Sequence, residues 1–590
     1  MQKQPSFIRA GAAQINTTVG DLEGNAQKII ASIRQARQQG VQILAFPELA
    51  LCGYPPKDLL LKTQFIADQQ RTLDQILPET HGMLVVVGLV IREGDSYNAA
   101  AVMHDGNLVG IARKVGLPNY RVFDEKRYFN RGEFLSVFKT DIANLGVLIC
   151  EDLWHPETVA NVAKSGIDLL VCLSASPYHI GRGLERETLV KSRCQDHFIG
   201  VIFCNQVGGQ DELIFDGRSL IVSPRAEILA QGKAFAEDLI IGEFHFEEIH
   251  RGRLAVPIQR DMVPEAIPGR EEVRIITSQG KTTAVETAPP LAKRIPTAYL
   301  PQRYEVRYDP IEDAYNALVL GLRDYVYKNG FTKVAIGLSG GIDSALTAVL
   351  AVDALGSDAV LGVSMPSRYS SDHSKSDAET LAQNLGIQYK QFEIESTYAA
   401  FLFLLQSEFQ TTKPDITEEN LQSRIRGTLL MALSNKFGHL VLATGNKSEM
   451  SVGYSTLYGD MCGGLAVIAD VFKTLVYAMA RYRNTRAGYD LIPENTILKP
   501  PSAELRENQL DTDSLPDYDV LDGILHAYIE KDMSIAEIVT QGYAPETVRH
   551  IINLVDRAEY KRQQAAIVLR ITAKAFGSDR RLPVTNKYRA

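Results

Sequence analysis

The stretch Val334-Ala-Ile-Gly-Leu-Ser-Gly-Gly-Ile-Asp-Ser-Ala-Leu346 limits what this chain can fold into more than any other. A β-branched apolar run leads straight into Ser-Gly-Gly, and a helix-favouring run, Ala345–Leu355, follows. The pattern predicts a strand, a tight glycine turn and a helix N-terminus, which together present bare backbone N–H groups to a phosphate. Gly340 and Gly341 let the backbone close on an anion where a Cβ would obstruct it. Ser339 and Ser344 add hydroxyl donors, and Asp343 offers a carboxylate to a Mg²⁺ on the phosphates. No Gly-Lys-Ser/Thr follows the glycines, so this is not a Walker A loop. Gly445-Asn446-Lys447-Ser448 has similar residues in the wrong order.

Strands are predicted at Val334–Leu338, Ala359–Met365, Gln388–Ile394 and Leu440–Thr444, with helices between them. A helix over Ile311–Asn329 precedes them and stops at Gly330. This is the rhythm of a doubly wound parallel sheet, which binds ligands at the carboxyl ends of its strands. From Phe7 to about Phe246 a second alternation runs through Ile8–Ile15, Ile43–Phe46, Leu84–Val90, Gly146–Cys150, Leu169–Leu173 and Gly200–Cys204. The amphipathic stretch Asn25–Gln39 lies between the first two strands, so an α/β domain with a substantial sheet is expected here as well. Between the two, the pattern fades, and Pro289, Pro290, Pro296 and Pro301 fall in a polar run. The reading is a domain over 1–250, a surface-crossing linker over 251–310 and a second domain over 311–590. A chain of 590 residues needs more than one core.

Composition excludes more than it identifies. The net charge of −9 argues against a nucleic-acid partner. No segment has the apolar length of a membrane span, and the first residues lack the apolar core of a signal peptide. Six cysteines without a Cys-x-x-Cys read as reduced thiols, and the eleven histidines have no zinc-ligand spacing. A cytoplasmic protein is expected.

In the N-terminal half three patches follow apolar strands: Leu44-Ala-Phe-Pro-Glu-Leu49, Arg113-Lys-Val-Gly-Leu-Pro-Asn-Tyr120, and Gly146-Val-Leu-Ile-Cys-Glu-Asp-Leu-Trp154. Cys150 closes a strand and opens a polar turn, as a nucleophile on an elbow must. Cys52 lies near Glu48 but in a turn, so the elbow setting favours Cys150. Together the patches resemble the nitrilase, or carbon–nitrogen hydrolase, superfamily over about the first 250 residues. The resemblance implies an α-β-β-α sandwich with Glu48 as general base, Lys114 at the oxyanion and Cys150 as nucleophile; Glu125 matches the glutamate that orients the lysine. A base and a cation beside the thiol would favour thiolate. Ser174-Ala-Ser-Pro-Tyr178 and Gly181-Arg-Gly183 resemble the glutamine-binding region of glutaminases in this superfamily, which implies Tyr120, Ser176 and Arg182 as substrate contacts.

In the C-terminal half, Ser339-Gly-Gly-Ile-Asp-Ser344 resembles the pyrophosphate loop of the ATP pyrophosphatases. Glu419-Asn-Leu-Gln-Ser-Arg-Ile-Arg-Gly427, Thr444-Gly-Asn-Lys-Ser-Glu449, Gly453 to Gly464, Lys473-Thr474 and Pro501 to Arg506 narrow the match to the NAD synthetases, with an adenine nucleotide α-hydrolase-like sheet. The whole chain thus resembles the glutamine-dependent members of that family. The resemblance implies ATP held by Gly337, Leu338, Ser339, Gly340, Gly341, Ile342, Asp343, Ser344 and Thr444. It implies deamido-NAD held by Asn420, Glu449 and Lys561, with Asp460 and Lys473 near the nicotinate, and Mg²⁺ on Asp343 and Glu449. A homo-oligomer formed through the synthetase domain is expected. Ala565–Val568 departs from the Pro- and Gly-containing turn of many relatives, so the placement of Lys561 is the part the structure has to test. The residues alone reach only an amidase joined to an ATP pyrophosphatase. An amidotransferase for another acceptor, or a scaffold built from decayed enzyme domains, stay as alternatives at this point.

Overall fold

The computed structural model describes residues 7–255, 272–277, 303, 308–410 and 412–588. It divides into two compact units, Met1–Gln210 with Phe215–Tyr308, and Asp211–Ile214 with Asp309–Ala590.

The N-terminal unit is built from two sheets. The first has six strands, in the order Asp238–His245, Phe7–Gln14, Ile43–Ala45, Leu84–Glu93, Asp95–His104 and Asn107–Arg113. The second has seven, in the order Ile228–Gln231, Leu220–Val222, Gly200–Asn205, Leu169–Ser174, Asn144–Ile149, Phe134–Lys139 and Glu272–Thr277. Central strands are parallel in both, and antiparallel strands flank them. Leu84–Glu93 shows why these strands read as unbroken apolar runs. Leu84 and Val86 join the core between the sheets, whereas Val85, Val87 and Leu89 pack with residues of the helices Leu22–Gln38 and Thr63–Ile76. On the far side, Leu148, Leu170 and Val201 pack with Val159 and Val162 of Pro156–Lys164 and with Val190 of Arg182–His197. The result is the expected α-β-β-α sandwich, each sheet buried on both faces.

The segment read as a linker lies mostly outside the described residues, Pro289, Pro290, Pro296 and Pro301 included. Within it, Glu272–Thr277 is an edge strand paired in parallel with Phe134–Lys139.

The C-terminal unit holds a six-stranded, wholly parallel sheet in the order Gln388–Gln391, Val360–Ser364, Val334–Gly337, Leu440–Ala443, Leu465–Ala466 and Ile567–Val568. The first four strands in chain order are the predicted ones, and the strand order reverses between Val334–Gly337 and Leu440–Ala443. That switch point opens a crevice beyond the carboxyl ends of these two strands. The departing segment Ala565–Val568 ends in the edge strand Ile567–Val568.

A buried charge network ties the helix Lys447–Val452 to the C-terminal segment. The Lys447 ammonium is fully buried and donates to Glu530 (2.7 Å), Thr572 (2.7 Å) and the Lys574 carbonyl (3.0 Å), and pairs with Asp470 (2.9 Å). Asp470 in turn accepts from the backbone of Ile571 and Thr572. Burial alone would raise the Glu530 carboxyl, but His526 and Lys447 outweigh it and hold it at about 2, against 4.5 for a free glutamate. A depressed folded pKa means stability that is present above 4.5 and is lost as pH falls toward about 2. In urea unfolding, Glu530→Gln is therefore expected to flatten the fall in stability across that window. Equal pH slopes in the two proteins would refute the assignment.

Candidate active sites

In the N-terminal unit the three predicted catalytic side chains come from three strand ends. Glu48 follows Ile43–Ala45, Lys114 follows Asn107–Arg113, and Cys150 follows Asn144–Ile149. The Glu48 turn sits tightly on Gly88: a Cβ there would stand 2.3 Å from Leu49 N and 2.4 Å from the Pro47 carbonyl oxygen. Lys114 is fully enclosed, and its Nζ donates to Glu48 Oε1 at 2.6 Å and to Glu125 Oε1 at 2.8 Å. Glu48 accepts further bonds from Asn98 Nδ2 at 2.7 Å and from the Ala175 N–H at 3.0 Å. Glu125 also takes the Tyr54 hydroxyl, at 3.0 Å. Burial, opposed by Lys114 and reinforced by Glu48, pushes the Glu125 carboxyl up to about 7.

Cys150 has a left-handed backbone, φ 49°, which is costly for a residue with a Cβ and marks a forced turn. Its thiol is buried and accepts from Ser174 Oγ at 3.6 Å. The surroundings act on this thiol in both directions. Burial, and then Glu48, push the thiol pKa up, and Lys114 only partly opposes them. The Cys52 thiol is turned instead to the Leu49 and Gly53 carbonyls.

The expected substrate contacts gather around the turn that follows Cys150. Tyr120 donates its hydroxyl to Glu151 at 2.9 Å, and the Arg182 guanidinium lies over the Trp154 ring at 4.2 Å while pairing with Glu185. The Ser176 backbone is fixed by Asn205 and Arg186, yet its buried hydroxyl has no hydrogen-bond partner among the described residues. Sequence reasoning missed Asn98, Ser174 and Asp152. Asn98 did leave a signal, a polar residue just ahead of the alanine run of a fully buried strand.

In the C-terminal unit a cavity of about 370 Å³ lies at the switch point. It is lined by Gly337, Leu338, Ser339, Gly341, Ile342, Asp343, Ser344 and Thr444, the ATP set, and by Asn420, Glu449, Asp460, Lys473 and Lys561. Gly340 is the exception. At φ +77° it backs onto the next segment, and a Cβ would stand 2.2 Å from the Ser374 carbonyl oxygen. The Ser339 hydroxyl accepts from the Gly341 N–H at 3.2 Å, and the Ser344 hydroxyl donates to the Gly341 carbonyl at 3.0 Å. Lys473 Nζ bridges Asp343 and Glu449. Asn446, which caps the following helix, donates to Asp343 at 2.9 Å. Burial, opposed by Lys473 and reinforced by Asp343, pushes the Glu449 carboxyl up to about 8. Lys561 Nζ donates to the carbonyls of Gly453 and Ser455, both at 2.7 Å, so the altered segment after it still leaves it at the cavity wall. Asn420 and Asp460 are joined through Thr456. Arg426 also lines the cavity and was not anticipated; burial lowers it to about 10.

The carbon–nitrogen hydrolase family matches residues 9–253 and the NAD synthase family matches residues 314–565. A curated glutamine-dependent NAD(+) synthetase of Thermotoga maritima is 45% identical over 99% of this chain and 99% of its own length. The chain belongs to the glutamine-dependent NAD(+) synthetase family. The counterpart in Aquifex aeolicus is 46% identical over 98% of this chain and 99% of its own. Among solved structures, the glutamine-dependent NAD+ synthetase of Acinetobacter baumannii, in complex with ADP, is 41% identical. It superposes with a TM-score of 0.72, covering 98% of this chain and 99% of that one. The Cytophaga hutchinsonii enzyme shares the fold, with a TM-score of 0.79 at 22% identity, covering 98% of each chain.

Each glycine contact isolates one unit of this synthetase fold. Gly88→Ala is expected to displace the Glu48 turn and lower glutamine hydrolysis roughly tenfold or more, with ATP binding intact. Gly340→Ala is expected to do the reverse. Parallel glutaminase and ATP-binding assays check both, and a variant that depresses the two together would contradict the separation.

Proposed function

We propose that the chain amidates deamido-NAD to NAD in two steps, through an acyl-adenylate, with ammonia freed from glutamine at Cys150. Family membership gives the overall reaction, a glutamine-hydrolysing carbon–nitrogen ligation; the steps and the residue roles are our reading. The observation that carries it is the pairing of an enclosed Glu48–Lys114–Cys150 site with a separate cavity holding the pyrophosphate loop.

In the first site, Cys150 Sγ attacks the glutamine carboxamide carbon while its proton passes to Glu48. Lys114 stabilises the oxyanion, charge that exists only in the tetrahedral intermediate. The leaving nitrogen takes the proton from Glu48 and departs as ammonia. Water, deprotonated by Glu48, then cleaves the thioester to glutamate. Arg182 pairs with the α-carboxylate of glutamine, and the unpartnered Ser176 hydroxyl accepts a substrate hydrogen bond.

In the second site, a carboxylate oxygen of the nicotinate attacks the α-phosphorus of ATP and pyrophosphate leaves. Ammonia then attacks the acyl carbon and AMP leaves. The loop N–H groups and Ser339 hold the phosphates, Thr444 meets the nucleotide, and Asn420, Asp460, Lys473 and Lys561 position deamido-NAD. Asp343 and Glu449 suit Mg²⁺. Both are hard oxygen donors on the cavity wall with one ammonium, Lys473, between them. When bound, the cation would neutralise charge on the leaving pyrophosphate.

We also propose a cytoplasmic homo-oligomer formed through the synthetase unit. The free thiols support the compartment. The helix Glu395–Phe409 buries only Tyr398 and exposes Phe401 (42%), Phe403 (76%) and Leu404 (74%). An apolar patch of that kind needs a cover, and a second copy supplies one. Phe403→Glu with Leu404→Glu is expected to lower the mass measured by analytical ultracentrifugation; an unchanged mass would remove this face from the interface.

The main test is NAD formation from deamido-NAD, ATP and Mg²⁺, with glutamine or ammonium as donor. Cys150→Ala is expected to abolish glutamine-driven synthesis and keep ammonium-driven synthesis. If the wild type makes NAD from neither donor, the acceptor is wrong.

A further inference from the structure

Lys114 and Cys150 stand on different sheets of the sandwich, one after Asn107–Arg113 and the other after Asn144–Ile149. Their relative placement therefore depends on whatever joins the two strand ends. A single carboxylate does so. Asp152 is 1% exposed; its Oδ1 accepts from the N–H groups of Val115 at 3.1 Å and Gly116 at 2.6 Å, and its Oδ2 accepts from the N–H of Ile149 at 3.0 Å. Three backbone donors that the sheets leave unpaired at the lysine and cysteine ends thus share one side chain. Such donors need an acceptor when buried. The bonds flank both functional residues, reaching Ile149 just before Cys150 and Val115 and Gly116 just after Lys114. They also run against the left-handed backbone at Cys150 (φ 49°), a conformation that must be held from outside.

We propose that Asp152 is a positioning residue of the glutaminase reaction, fixing the Cys150 thiol against Lys114 by tying both strand ends. It makes no contact with substrate and acts through the backbone. A carboxylate is required, since all four of its lone-pair directions accept and an amide at this place would turn an NH₂ toward at least one N–H. Burial raises the Asp152 carboxyl to about 6, and the N–H groups of Gly116 and Ile149 together with Lys114 oppose the rise. The charge is thus kept in a site that would otherwise expel it.

The inference rests on Cys150 and Lys114 having the roles given above. Its test uses full-length Asp152→Asn and Asp152→Ala, with Cys150→Ala as the reference. The measurements are kcat and KM for glutamine-driven NAD formation, the ammonium-driven rate, and the rate of Cys150 alkylation by iodoacetamide. A displacement of about 1 Å between reacting groups costs on the order of 10²-fold. Asp152→Asn is accordingly expected to lower kcat with glutamine by roughly that factor, with KM for glutamine within about threefold and the ammonium-driven rate unchanged. Alkylation should change rate, because the thiol has moved. A wild-type kcat in Asp152→Asn overturns the inference. So does a loss that appears equally in the ammonium-driven rate, which would make Asp152 a general folding residue. If Asp152→Ala does not fold, Asp152→Asn alone decides. Retention of glutamine use by Cys150→Ala would instead overturn the nucleophile assignment, a failure distinct from that of Asp152.

Discussion

The N-terminal unit is organised around one ammonium, Lys114, that has no contact with water. A buried charge is tolerated only when it is paired and its donors are satisfied. Glu48 and Glu125 provide the pairing, and two buried carboxylates then need donors of their own. Asn98, the Ala175 N–H and the Tyr54 hydroxyl supply them. Removing one member leaves the others uncompensated, so the cluster fixes where the strand ends bearing these groups must lie. The local backbone follows from that demand, including the tight Glu48 turn over Gly88.

The same composition recurs in the C-terminal unit with the opposite outcome. Lys473 stands between Asp343 and Glu449 as Lys114 stands between Glu48 and Glu125, but it faces a cavity. Few other donors complete the set, and Glu449 is left with a carboxyl near 8. One site is closed, its ammonium paired by two buried carboxylates, which suits a reaction carried by its own side chains. The other is open and short of positive charge, which suits a polyphosphate arriving with its cation.

The sequence was most legible where burial is simplest. Strands covered on both faces are continuous apolar runs, and all four predicted strands of the C-terminal sheet are present, each within a residue or so at its start. Glu48 and Cys150 were legible because each follows such a run. Flanking antiparallel strands such as Asp95–His104 and Asn107–Arg113 were harder, since their alternation is blurred by the alanines. Pairing of Glu272–Thr277 with Phe134–Lys139 joins residues far apart in sequence, and no local pattern announces it. Asp152 was hidden for a related reason. Its role comes from the backbone of Val115 and Gly116, whose side chains carry no sign of the bond.

The proposed proton transfer gives the first site a use for two glutamates. If Glu48 is the base proposed above, attack by Cys150 delivers a proton to it, and the neutral Glu48 loosens its hold on Lys114. Were Glu48 the sole partner, the ammonium would be left unpaired in a closed site just as the reaction begins. Glu125, near 7 while Glu48 is charged, is held up partly by that charge. Once Glu48 is neutral, the repulsion vanishes and Glu125 ionises more readily beside Lys114. The Lys114–Glu125 pair then keeps the ammonium charged and in place while its field acts on the oxyanion. On this reading one glutamate moves the proton and the other preserves the charge.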